Sequence, residues 1–352
     1  MSVTVHQRPG VYSAYDASSL VSGRSAGGVV GLAGVNTKAQ AGMVHLVTRY
    51  EQAVTIFGDD GEEGMAELIR LALKNGASAV AAVAVANESG CQTAFDALAA
   101  VENIAVVICG STSQSVQQAL RDSVAQASAA RMERIAVVAG GVEEGVSALV
   151  ARAKALNHER VVLVAPGGVD GEGKSCSGLT VAAAVAGAIA GERDPAVPLG
   201  GVELSGLHGL AAHYGDRELD QLILGGVTPL ESVGGSVGVV RAVTTRTTTG
   251  GSEDATWREL STIRIVDDVI STLRNALRAR FRRAKNTEQS RGAVRAQVVL
   301  ELENKRVREI IAGYENVSVT ADSEDPTRCL VDFAFTVAHG MNQIWLSAHI
   351  TV

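Results

Sequence analysis

The sequence predicts a two-part chain: an α/β domain built on a mainly parallel sheet, then a smaller α+β domain, with strand-like segments at both termini. Three observations predict it. Four continuous apolar runs, at 79–86, 104–109, 135–139 and 161–165, alternate with helix-patterned stretches. Strands apolar on both faces must be covered on both, and intervening helices supply that cover in a parallel sheet. Beyond residue 255 apolar residues recur every three or four positions, then alternate strictly, which marks long helices followed by strands. Finally, the closing residues 343–352 alternate without a break, with Ile344, Leu346, Ala348, Ile350 and Val352 on one face of an extended strand.

Taken in order, the amino-terminal residues 1–20 form an arm in which Val3 and Val5 alternate with polar residues before the Pro9-Gly10 turn and Val11-Tyr12. Gly28 to Gly34 forms a short buried strand, 43–48 a second strand, and 50–57 a short helix stopped by Gly58. A clearer helix occupies 65–74, with Leu68, Ile69, Leu71 and Ala72 on its apolar side and Asn75-Gly76 as its stop. The four apolar strands follow, with helices near 93–100, 113–132 and 143–156 between them. Residues 191–251, rich in Gly, Pro and Thr, are expected to be loops and short strands, with a domain boundary near 235. A long helix over 256–285 carries Ile263, Val266, Ile270, Leu273, Leu277 and Phe281 as its buried stripe. A second helix is expected between Gly292 and Gly313, then strands at 317–320 and 328–338 and the terminal strand. The expected division is 1–20, 21–235, 236–340 and 341–352.

Composition excludes several classes. With 352 residues the chain is long for one core, and 46% hydrophobic content with 3% aromatic residues describes packing by small aliphatic side chains. The first twenty residues lack a positively charged start followed by an apolar run, and the most apolar helical stretch, 179–190, is too short to span a bilayer. Neither a targeting signal nor membrane insertion is expected. Cys91, Cys109, Cys176 and Cys329 are scattered, as in a protein made in a reducing compartment, and His208 and His213 lack ligand spacing, so no metal or cofactor is expected. The net charge of −7 hides a basic segment: between Arg258 and Arg308 thirteen Lys or Arg face six Asp or Glu. Arg274, Arg278, Arg282 and Lys285, flanked by Arg280 and Arg283, place a cationic stripe on the long helix. Such a stripe is either a solvated face near a helix carboxyl end or a surface for an acidic partner. Nucleic acid is not expected, because aromatic residues do not interleave the cations and the whole chain is acidic.

Gly168-Val-Asp-Gly-Glu-Gly173-Lys174-Ser175 satisfies the spacing of a phosphate-binding loop, between an apolar strand and a helix expected from about 178. Backbone N–H groups and Lys174 could cradle phosphates there. A nucleotidase also needs an acidic residue at a strand end to hold magnesium, and the nearest candidate, Asp267, falls in the long helix. No nucleophile–base pair stands out elsewhere, so catalysis is not expected. A nucleotide-binding protein remains the alternative reading, and a generic monomeric α/β binding protein the third.

Arg8-Pro-Gly-Val-Tyr12, Gly31-Leu-Ala-Gly34, the stretch 50–58 ending in Phe57-Gly58, and the helix 180–194 with Ala186-Gly187 and Ala190-Gly191 occur in a telling order. Arg241-Ala-Val-Thr-Thr-Arg246 then precedes the long helix with Asp267-Asp268, before the closing helix and three strands. This succession, over nearly the whole chain, resembles the tail sheath proteins of contractile phages and phage-tail-like bacteriocins. The resemblance implies a structural subunit of hexameric rings stacked around an inner tube, triggered by a baseplate, closed by a tail terminator and consuming no nucleotide. It implies an outer α/β domain and an inner α+β domain, in a particle assembled in the bacterial cytoplasm. It also implies that terminal arms add strands to neighbouring subunits, here through Val3, Val5, Val11, Tyr12, Ile344, Leu346 and Ile350. Arg274, Arg278, Arg282 and Lys285 would then face the tube.

Overall fold

The computed structural model describes residues 28–349, so the arm residues Val3, Val5, Val11, Tyr12 and Ile350 lie outside the described residues. Strands β1 (Val29–Val35), β2 (Val44–Val47), β3 (Ala79–Val85), β4 (Ile104–Cys109), β5 (Ile135–Ala139) and β6 (Val161–Ala165) fall where the apolar runs place them. Between them run α1 (Tyr50–Phe57), α2 (Met65–Lys74), α3 (Cys91–Ala99), α4 (Gln114–Ala129) and α5 (Val146–Leu156), followed by α6 (Leu179–Gly191). Every residue of β3, β4, β5 and β6 is buried, as strands covered on both faces must be.

The expected loop region holds more order than its Gly and Pro content suggests. It contains β7 (Glu203–Leu204), α7 (Asp216–Leu224), β8 (Val227–Val233) and β9 (Ser236–Val239), then the small pair β10 (Thr248–Thr249) and β11 (Ser252–Glu253). Among the described residues the large sheet has nine strands in the order β2-β3-β1-β4-β5-β6-β8-β9-β7, and so extends past residue 235. Its six central strands are parallel, with antiparallel strands at both edges. Pro229 sits inside β8 opposite Ala165, and its carbonyl accepts from Val240 N–H at 3.0 Å.

Alternation within each strand separates two cores. Val30, Leu32, Val137, Val162 and Val164 meet α1, α2 and α6, whereas Ala33, Val107, Ala136, Val138 and Leu163 meet α3, α4 and α5. Helix α6 is buried all round, and its small residues let it approach α2 closely. A Cβ on Gly187 would stand 2.3 Å from the Ala72 carbonyl oxygen.

The chain continues as α8 (Leu260–Phe281), α9 (Glu288–Val307), β12 (Ile311–Ala321) and β13 (Cys329–Val337). The buried stripe expected on α8 is in fact two stripes. Leu260, Ile263, Val266 and Ile270 join the core of the large sheet, while Ile265, Val269, Leu273 and Leu277 pack with Val298, Leu302, Ile310 and Ile311 in a separate core. Helix α9 starts and ends five residues before its expected limits. Thr287 caps it, with Oγ1 accepting from Ser290 N–H at 3.2 Å, Gly292 lies inside it, and Glu309 at φ 58° turns the chain into β12. β12 and β13 form a two-stranded antiparallel hairpin whose Val331, Phe333, Phe335 and Val337 face the second core.

Candidate functional site

In open parallel sheets, ligands bind at the carboxyl ends of the strands where the winding direction switches. Here that point lies between β1 and β4. It is filled by the chain itself. Gly110 N–H donates to the Ala33 carbonyl at 2.7 Å, and Met65 approaches so closely that a Cβ on Gly34 would lie 3.0 Å from it. Asn36, 6% exposed, donates to the Phe57 carbonyl and to Asp60, both at 2.8 Å, and accepts from the backbone of Lys38 and Ala39. The crevice is thus closed by packing and by a saturated side-chain amide.

The phosphate-loop spacing at Gly168–Ser175 does not form a phosphate loop. A phosphate loop delivers its Lys and Ser into the first turn of the helix. Here Val169 and Ser175 bridge as a small hairpin, Lys174 is exposed, and α6 begins only at Leu179. The Asp170 carboxylate accepts from the N–H groups of Glu172 at 3.0 Å and Lys174 at 2.8 Å, filling the nest a phosphate would occupy. Glu63 accepts from Ser177 N–H at 2.7 Å and holds the helix entrance as well. The nucleotide reading using Gly168, Gly173, Lys174 and Ser175 is therefore set aside.

The carboxyl-terminal segment behaves differently from a packed strand. After β13, residues 338–349 form no strand within the chain, so the expected third strand of the small domain is not made there. Gly340 passes so close to Pro198 that a Cβ would lie 2.9 Å from its ring, and Asn342 borders the same shallow site with Leu199 and Arg264. From there the limb leaves the body. Met341, Ile344, Trp345 and Leu346 are 77%, 81%, 91% and 92% exposed, a run of apolar surface that a lone soluble chain rarely shows in water.

The cationic stripe divides in two. Arg278 and Arg280 in the last turn of α8 are exposed, as are Arg282, Arg283 and Lys285, which follow it because the helix stops at Phe281, four residues before its expected limit. Arg274 is only 5% exposed and is not part of that surface. The seven-residue interval from Asp267 to Arg274 sets both on the side of α8 that meets the sheet, and Asp267 pairs there with Arg160 at 2.7 and 2.8 Å. Its neighbour Asp268 pairs with Lys305 of α9 at 2.5 Å. The partners of these two carboxylates lie 107 and 37 residues away, beyond the reach of local spacing. Among the described residues no group of His, Cys, Asp and Glu has a metal-holding arrangement, and no helix is long and apolar enough to cross a membrane.

The described residues thus present a filled crevice, a helix tied to two cores and an exposed apolar limb, features suited to assembly. Family models agree: the phage tail sheath protein central domain matches residues 76–245, and the phage tail sheath C-terminal domain matches residues 252–351. The chain belongs to the phage tail sheath protein family. A 135-residue stretch is 34% identical to the tail sheath protein of Bacillus phage SP01, taking in 38% of this chain; the match spans about a quarter of that curated relative, 23% of its length. Among solved structures, the contracted helical sheath of the anti-feeding prophage superposes with a TM-score of 0.74 at 17% identity, covering 98% of this chain and 99% of that one. The contracted PVC sheath complex of an extracellular contractile injection system gives 0.74 at 16% identity, covering 99% of each chain. The sheath tail protein of Desulfitobacterium hafniense gives 0.66 at 12% identity, covering 93% of this chain and 100% of that one. At such identities the structural likeness speaks for the fold.

Proposed function

We propose that this chain is the subunit of a contractile tail sheath, polymerising as stacked hexameric rings around an inner tube and shortening to drive the tube through a target envelope. The observation that carries this reading is the limb at 341–349, strand-patterned in sequence and exposed, beside a hairpin that has two strands among the described residues. An unpaired strand and an unpaired sheet edge satisfy each other when copies meet, because backbone hydrogen bonds join them and alternate side chains fix the register. Ile344 and Leu346, with Ile350 and the amino-terminal Val3, Val5, Val11 and Tyr12, are the arm residues of that mesh.

Under this reading 21–235, together with β9 of the same sheet, forms the outer part of the ring and the rest of 236–340 the inner part, with α8 as the link. Arg278, Arg282 and Lys285 face the inner tube protein, and Arg274 serves the interior. The further partners are a baseplate that triggers contraction and a terminator that closes the sheath. The energy resides in alternative packings of the same subunit, so neither nucleotide nor cofactor is used. Such particles assemble in the bacterial cytoplasm and act as a virion tail or a phage-tail-like device.

Removal of 343–352 tests the reading directly. Negative-stain images of the full chain should show tubular polymers, and the truncated chain should remain as soluble subunits with an unchanged circular dichroism spectrum. Normal long sheaths from the truncated chain would overturn the role given to the limb.

A further inference from the structure

The amino ends of β5 and β6 place two side chains beneath α8 by strand alternation. Glu133 shares its parity with Ile135 and Val137, and Arg160 with Val162 and Val164, all of which face the core that receives α8. Arg134, of opposite parity, turns to the other layer and donates to the carbonyls of Leu98 and Val101. Arg160 is engaged at two points by Asp267. Glu133 is left with both carboxyl oxygens buried and, among the described residues, no hydrogen-bond partner for either beyond the approach of its own backbone N–H. The charges bearing on it are Asp267 and Arg274 from α8, Arg160 from β6 and Arg134 beside it, with Arg131 bearing on Arg274.

We propose that Glu133 is a protonation-dependent latch between the sheet and α8, keeping the helix seated as a neutral carboxyl and loosening it on ionisation. A buried carboxylate without donors is costly, whereas a neutral carboxyl needs far less solvation. Burial, reinforced by the negative charge of Asp267, pushes Glu133 up to about 8 from an ordinary 4.5. Between those values the seated state retains a proton that an opened state gives up. Seating therefore weakens as pH rises from 4.5 to about 8, with the opening constant growing by up to about tenfold per pH unit, and this dependence ends above 8. The latch is a property of the folded subunit and goes beyond the sheath reading, since it would act in an isolated chain.

Three measurements on the full chain test it. The 13C shift of the Glu133 side-chain carboxyl, assigned by its disappearance in Glu133→Gln, should titrate near pH 8 in the wild-type chain; a midpoint below 6 overturns the proposal. Hydrogen exchange of α8 amides, corrected for intrinsic rates, should show opening that increases from pH 5 to pH 8. In Glu133→Gln, a permanently neutral shape mimic, that increase should vanish, and equal pH slopes in the two proteins overturn the proposal. Should Glu133→Gln fail to fold, the wild-type titration, assigned through Glu133→Met, still decides.

Discussion

Arg160 and Asp267 meet across the junction between the sheet and α8, each guanidinium NH2 group donating to a different carboxylate oxygen, at 2.7 and 2.8 Å. The Arg160 side chain is 4% exposed and that of Asp267 18%, so the pairing replaces contacts with water that burial removes. Asp267→Leu removes the two-point partner of a buried cation and should lower stability by about 3–5 kcal/mol in urea unfolding. Combining it with Arg160→Met removes that charge as well, and the double variant should be more stable than Asp267→Leu alone. Simple addition of two losses would show that the two charges are not coupled.

Two glycines should respond in opposite senses to the same methyl group. At Gly187 the added carbon meets the backbone of Ala72, so Gly187→Ala should push α6 from α2 and cost about 1–3 kcal/mol. At Gly292, inside α9, nothing stands within 4 Å, and Gly292→Ala should stabilise by about 0.4–1 kcal/mol through a less flexible unfolded chain. Melting temperatures of the two variants, one lowered and one raised, check both statements.

The chain's two tryptophans report on different events. Trp257 is 9% exposed and Trp345 91%. In Trp257→Phe the remaining emission should come at long wavelength from isolated subunits and shift to shorter wavelength as they polymerise, because a limb seated in a neighbour takes the indole out of water. Emission that stays at long wavelength in visible polymers would place the limb outside the contacts.

Reversal of the exposed cations at the end of α8 tests the tube-facing surface. Arg278→Glu with Arg282→Glu should leave subunit stability within about 0.5 kcal/mol, since both side chains are exposed. It should reduce the yield of sheathed tubes at low salt. Each ion pair contributes at most about 1 kcal/mol, so the loss should be visible only because the contact repeats around the ring. An unchanged yield would direct attention to another face.

The parallel sheet was legible because β3 to β6 are apolar at every position, which no half-exposed strand tolerates. β8 was not, because Pro229 argues against a strand; it is accommodated where pairing passes from β6 on one side to β9 on the other. α7 was hidden behind Gly215 and Gly225, although Glu218, which accepts from Gly215 N–H at 2.9 Å, is the mark of a helix start. The shift of α9 followed from weighting Gly292 over Thr287, when a capping hydroxyl sets a helix start more firmly than a glycine forbids its interior. Along the stripe Arg278 and Arg282 are exposed and Arg274 is buried, because a helix that touches two cores has no single polar face. The loop at Gly168–Ser175 had the spacing without the fold, since Asp170 supplies from within what a bound phosphate would supply from outside.

The two-sided seating of α8 also has a mechanical meaning. Fourteen residues separate Asp267 from Phe281, a shaft of about 21 Å at the helical rise per residue. A pull on the hairpin at the far end arrives at the sheet as torque. Apolar contacts allow sliding, but the Arg160–Asp267 pair is directional and resists rotation. Under the proposed sheath assembly the helix is a lever whose pivot is ionic, and a tug by a neighbouring subunit would load that pivot first.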